Sequence, residues 1–156
     1  MPPRVLVVSN AYPDFDGSYH GIFIRRTVER LAGRGWESHV LVPRVYRRSA
    51  PFERLPDHTV ERFPFPTADK LLIEYDRTPY FRIAALIASG VRAGLRATRD
   101  GSCGLIHAHW AFPAGIIAAS TARITGLPLL LTVHGSDWMM AADGGLLPRR
   151  LFLKVA

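Results

Sequence analysis

Three short apolar runs constrain this chain more than any other feature: Arg4–Ser9 (R-V-L-V-V-S), Leu105–His109 (L-I-H-A-H) and Pro128–Val133 (P-L-L-L-T-V). A valine- and leucine-rich run of this length suits a β-strand covered on both faces, where no alternation with polar residues is required. Ser38–Val42 reads as a further strand, and Thr59–Phe63 as a short one. Between the runs the period changes to that of a helix. Ile24, Val28, Leu31 and Ala32 line one face while Arg26, Arg30 and Arg34 line the other, with closure near Gly33 and Gly35. From Tyr80 to Thr98 a longer stripe of Ile83, Leu86, Ile87, Gly90, Val91, Gly94 and Leu95 opposes Arg82, Arg92 and Arg96. Each of its two glycines costs about 1 kcal/mol of helix stability against alanine, which implies close packing of that face against a sheet.

A helix over Pro113–Thr125 carries three boundary signals. Pro113 suits a first turn, where its missing N–H would have no partner, Gly126 suits a left-handed cap, and Pro128 prevents continuation. Pro148 opens another helical pattern through Leu151 and Val155, whereas Pro43–Pro79 carries only weak periodicity. Strands alternating with helices over short connections predict an α/β fold, a doubly wound, mostly parallel sheet with helices on both faces. Ligands of such sheets gather beyond the C-terminal ends of the strands. Three polar loops fall there: Asn10–Gly21, His109–Trp110 and His134–Asp137.

Composition narrows the function classes. At 156 residues the chain has the size of one domain, and no apolar run approaches the roughly 20 residues that span a bilayer. Cys103 is the only cysteine, which excludes an internal disulfide and a cysteine-built metal site. These features point to a cytoplasmic setting. The net charge of +7 is carried by arginine, since only Lys70 and Lys154 of the 20 basic residues are lysines. Planar guanidinium groups suit phosphates and anionic surfaces, and a solvated charged face accounts for them equally well. Arg44, Tyr46, Arg47, Arg48 and Phe52 form a basic, aromatic cluster that an anionic membrane would attract. No nucleic-acid signature accompanies it.

Gly17, Ser18 and Gly21 (D-G-S-Y-H-G) precede the first helix, where backbone N–H groups and the helix dipole can meet a phosphate; the same glycines also serve turn geometry. Their spacing matches neither the dinucleotide fingerprint nor the P-loop. His107 and His109 share one face of a strand. With His134 and Asp137 they could supply a metal site for a hydrolase, or they could be a packed strand residue and a cleft residue without metal. His134, followed by Gly135, Ser136 and Asp137, is the sharpest feature: an imidazole directly after a buried strand can donate a hydrogen bond to developing charge. Ser136 and Asp137 could alternatively serve only the turn.

Taken in order, V-S-N-A-Y-P at Val8–Pro13, G-I-F-I-R-R at Gly21–Arg26, I-H-A-H-W-A-F-P-A-G at Ile106–Gly115 and L-T-V-H-G-S-D at Leu131–Asp137 resemble the N-terminal domain of family 4 glycosyltransferases, along the whole chain. The resemblance implies one half of a GT-B architecture: two Rossmann-like domains facing each other, and a sugar passing from a nucleoside diphosphate to an acceptor with retained configuration. It implies that residues 1–156 form the single acceptor-side domain and that a C-terminal nucleotide-sugar-binding domain lies outside them, so that the isolated chain should not turn over. By the same resemblance Gly17, Ser18 and Gly21 approach the donor diphosphate, His134 is the catalytic residue at the transferring sugar, and His109, Trp110 and Asp137 shape the acceptor side. The acceptor would be a sugar, lipid or small molecule, and no cofactor or divalent metal is expected. Gly17 and Gly21 are separated here by Ser18, Tyr19 and His20, where many members have adjacent glycines. A non-catalytic binding or scaffold module is the alternative reading.

Overall fold

The computed structural model describes residues 3–77, 79–135 and 137. Ser136 and the helix expected from Pro148 lie outside the described residues. In chain order the elements are β1 (Arg4–Ser9), α1 (Ile22–Ala32), β2 (Glu37–Pro43), β3 (Phe52–Arg54), β4 (His58–Phe63), α2 (Tyr80–Ala97), β5 (Cys103–His109), α3 (Ile116–Thr125) and β6 (Leu129–Thr132), with a 3-10 turn at Leu72–Glu74. The strands form one sheet in the order β3-β4-β2-β1-β5-β6. Every pairing is parallel except that of β3 with β4. The expected mostly parallel α/β sheet is therefore present, with one antiparallel edge strand added.

The apolar run of β1 explains why the sheet is wound on both faces. Val5 and Val7 enter one core with Ile24 and Val28 of α1, while Leu6 and Val8 enter another with Leu86 of α2 and Ile117 of α3. Successive side chains of a strand point to opposite faces, so an uninterrupted run needs a helix layer on each. Ile24 and Val28 are wholly buried. Each such side chain contributes about 1.5–3 kcal/mol by leaving water.

Two expectations are refined. The glycines of α2 mark close packing against the sheet, where a Cβ at Gly90 would lie 3.1 Å from Phe63 Cζ of β4, and more closely still against α3. A Cβ at Gly90 would lie 2.5 Å from Ile117 Cδ1, and one at Gly94 would lie 2.7 Å from Thr121 Oγ1. The hydrogen bonding of α3 is regular from Ile116, and Pro113–Gly115 before it is already helical, as a wider π-type turn, so the helical dihedrals begin at Pro113 as expected. Only Phe112 within Ala111–Gly115 is extended (φ −136°, ψ 136°), as the proline ring that follows favours.

Candidate functional site

Strands β1, β5 and β6 are adjacent, and register carries Ser9 beside His109 and His109 beside Thr132. Their C-terminal ends are level, so the three polar loops leave the sheet at one edge. The side chain of Asn10 ties two of them together: its Nδ2 donates to the Phe112 carbonyl at 2.8 Å, and its Oδ1 accepts the Ala114 N–H at 3.0 Å. The short connection after β5 is thereby fixed against the end of β1.

The loop from Asn10 to Gly21 is anchored from the other side by β4. Tyr12 is buried with its hydroxyl 2.5 Å from His58 Nε2, and His58 Nδ1 is 2.8 Å from Asp57 Oδ1. Burial pushes the Tyr12 phenol well above its usual range, so it stays protonated and can donate to His58. Four residues further along β4 the buried Arg62 donates to the Pro13 carbonyl at 2.7 Å and to the Ala50 carbonyl at 2.9 Å, and it pairs with Glu53. An arginine with its charge paired and carbonyls accepting its N–H groups is a rigid strut, and removal of such a partner is costly. Gly21 then lies against the anchored backbone: at φ +68°, its Cβ position falls 2.5 Å from the carbonyl carbon and oxygen of Ala11 and 2.8 Å from the Tyr12 nitrogen. Gly17, at φ +81°, has nothing within 4 Å of that position. The two glycines thus have different jobs. Gly21 permits a close backbone approach at the start of α1, and Gly17 presents an open turn. Ser18 accepts the His20 N–H through its hydroxyl at 3.3 Å, and the His20 ring lies 3.2 Å from the buried Asp14 carboxylate.

At the ends of β5 and β6 three histidine rings form a column. The rings of His107 and His109 are 4.2 Å apart, and those of His109 and His134 stack at 5.4 Å. His109 Nδ1 is 3.2 Å from His134 Nε2, and His107 Nε2 is 2.8 Å from Thr132 Oγ1. The turn after β6 closes through two bonds: Asp137 Oδ2 accepts the His134 N–H at 3.0 Å, and the Asp137 N–H donates to the His134 carbonyl at 3.0 Å. Trp110, in the left-handed region at φ 69°, places its ring 4.5 Å from His134 and 5.4 Å from Phe23. Phe23, on the first turn of α1, lies 5.0 Å from His134 and remains 42% exposed.

The structure therefore brings His109, Trp110, His134 and Asp137 together, and sets the Gly17–Gly21 loop on the same sheet edge. It places His109 and Asp137 below the surface, at 3% and 7% exposure, where they hold His134 rather than face solvent. Among the described residues no group of three or more His, Cys, Asp or Glu is arranged to hold a metal. Sequence reading passed over Asn10, Phe23, His58 and Arg62. Only Asn10 and Phe23 gave any signal, as members of quoted motifs; a buried arginine on a strand has none.

Burial disfavours charge on all three imidazoles. It holds His107 and His134 below their usual range, and takes His109 down to about 3, helped by His107 and His134. Asp137 works against this at His134 without reversing it. Because the folded chain binds fewer protons here than the unfolded chain, whose histidines titrate near 6.5, stability is fully present above that pH. It falls as pH drops from about 6.5 toward 3. The expected loss approaches about 1.4 kcal/mol per pH unit for each proton taken up only on unfolding. Urea denaturation at pH 7 and pH 5 measures it; His109→Asn should flatten the dependence, and an unchanged slope would contradict the assignment.

Residues 20–155 match the family model described as a glycosyl transferase 4-like domain. TuaC of Bacillus subtilis (strain 168), a glycosyltransferase named for teichuronic acid biosynthesis, is 28% identical over 149 residues, which cover 86% of this chain and 36% of the relative. The uncharacterized glycosyltransferase MJ1178 of Methanocaldococcus jannaschii is 30% identical over 76 residues, covering 49% of this chain and 21% of the relative. The chain thus spans about a third or less of the curated relatives it matches. Among solved structures, sucrose-phosphate synthase from Thermosynechococcus elongatus superposes with a TM-score of 0.64 at 16% identity, over 97% of this chain and 39% of that one.

Proposed function

Because this chain belongs to the glycosyl transferase 4-like family, we propose that it is the acceptor-side domain of a retaining glycosyltransferase, which receives a sugar from a nucleoside-diphosphate donor held mainly by a second Rossmann-like domain. The observation that carries the reading is His134. It stands at the end of β6 on the same edge as the glycine loop, with its backbone fixed by Asp137 and its ring fixed by His109. Burial keeps the imidazole neutral near pH 7. With His109 Nδ1 donating to His134 Nε2, the remaining proton of His134 sits on Nδ1 and is free to hydrogen-bond a hydroxyl of the transferring sugar. Such a preplaced dipole strengthens as charge develops at the reacting carbon and leaving oxygen.

The departing diphosphate belongs to the loop at Gly17 and Ser18. Helix α1 begins at Gly21 without a side-chain cap and without an acidic residue in its first turn. Its partial positive charge is therefore available to an anion. His109 and Asp137 act on the acceptor through His134, whereas Trp110 lies in the ring cluster beside it. The acceptor is a sugar, lipid or small molecule, and a sugar acceptor accords with the Bacillus relative's being named for teichuronic acid biosynthesis. Among the described residues no helix is long and apolar enough to cross a membrane. The net charge of +7, carried by arginine, supports a peripheral position at the cytoplasmic face of an anionic membrane. Incubating the full-length protein with labelled nucleoside-diphosphate sugars and following the anomeric proton by NMR tests the reading. Transfer with the donor's configuration retained is expected; an inverted product would reject it.

A further inference from the structure

The turn that follows β2 carries three arginines, and the structure separates them by what they already hold. Arg44 is spent on the turn itself, with Nε donating to the Ser49 carbonyl at 2.9 Å and Nη2 to the Arg47 carbonyl at 2.6 Å. Arg47 is spent on Asp69, which accepts its backbone N–H at 2.7 Å and lies 3.7 Å from its guanidinium. Arg48 pairs with no carboxylate among the described residues. Its guanidinium carbon sits 3.8 Å from the centre of the Phe15 ring and 5.7 Å from that of Tyr46, and those two rings meet edge to face at 6.4 Å. Among the described residues Asp69 is held by Arg47, Asp14 by His20, and Glu74 by the Leu71 N–H.

Stacking against an aromatic face fixes the plane of a guanidinium while leaving its N–H groups, which lie in that plane, available. Arg48, Arg47, Tyr46 and Asp69 line a cavity of about 360 Å³. Phe15 belongs to the glycine loop, so Arg48 links the lining of the cavity to that loop. His134 lies after β6. Three strand spacings separate β2 from β6 in the sheet, or roughly 14 Å. The cavity and His134 thus follow different strands of the same sheet, and we take the group at Arg48 to be carried by the molecule whose hydroxyl reacts beside His134.

We propose that Arg48, stacked on Phe15 beside this cavity, receives a phosphate or carboxylate group carried by the acceptor. The inference rests on the glycosyl-transfer reading for its biological use, and names the acceptor as an anion. The planar fork bonds two oxygens of either group at once.

The test is titration of the full-length protein with inorganic phosphate and, separately, with acetate, at low salt and without donor, followed by NMR. Binding of at least one anion is expected. Arg48→Gln should weaken it about tenfold, as loss of a bidentate charge-assisted contact does. Arg47→Gln should change it less than about twofold, because Asp69 already neutralises that charge. All three proteins should melt alike, since both side chains are exposed. The anion whose binding Arg48→Gln weakens identifies the acceptor group. Equal losses in the two variants would mean diffuse surface attraction and overturn the proposal, as would failure of both anions to bind. Neither result bears on sugar transfer, which is measured separately with donor present.

Discussion

Gly21→Ala should destabilise the chain by about 3 kcal/mol or more, far beyond the effect of Gly17→Ala. Both glycines adopt positive φ, at +68° and +81°, so each alanine meets the intrinsic penalty of a left-handed residue, about 1–2 kcal/mol. At Gly17 that is the whole cost, because the space around the new methyl is open. At Gly21 the methyl would overlap the Ala11 carbonyl and the Tyr12 nitrogen at 2.5–2.8 Å. Relief would require the 11–13 backbone to retreat. That backbone is held by the Tyr12–His58 bond and by Arg62 on the Pro13 carbonyl. Urea denaturation of the two variants gives the comparison directly. Equal losses would mean that the loop yields, and that its anchoring by β4 does not set the start of α1.

How much of this was legible follows from where the physics is local. The run R-V-L-V-V-S announced a strand covered on both faces because continuity of apolar residues is a property of adjacent positions, and the two cores around β1 match it. Helix α1 was equally readable from its period. The strand Phe52–Arg54 was not, since three residues carry no period and its pairing with β4 depends on a partner distant in sequence. Pro113 was legible as the point where helical dihedrals begin, because the proline ring acts on its own neighbour Phe112, whereas the π-type turn that precedes the regular part of α3 at Ile116 gave no local signal. Gly90 and Gly94 revealed a close approach, and Phe63 of β4 bears out the sheet as one partner, but they gave no sign of α3 as the other, for a missing side chain says nothing about what fills its place.

At the site, the loops were legible and their supports were not. His134 and Gly21 stand out because polar and flexible residues follow apolar runs. The strut from Arg62 to Pro13 joins residues 49 positions apart. A charged residue on β4 reads as solvent-facing until the fold shows that its side chain is wholly buried. The same holds for the histidines. Alternation put His107 and His109 on one face, as found, yet the stack that adds His134 exists only because β6 lies beside β5.

His134 carries the account's central claim, that the edge formed by β1, β5 and β6 is where a sugar changes hands. Replacing it with alanine removes the dipole proposed to face the transferring sugar, but leaves intact the backbone bonds through which Asp137 closes the turn. Folding should therefore survive while chemistry suffers. Loss of one preplaced donor at developing charge typically costs about 100- to 1000-fold in rate. The deciding measurement is the turnover of the full-length protein with its nucleoside-diphosphate sugar, for wild type and His134→Ala of equal thermal stability. A fall in kcat of at least about 100-fold, with donor KM changed much less, is the expected result. Wild-type turnover in His134→Ala would contradict the account.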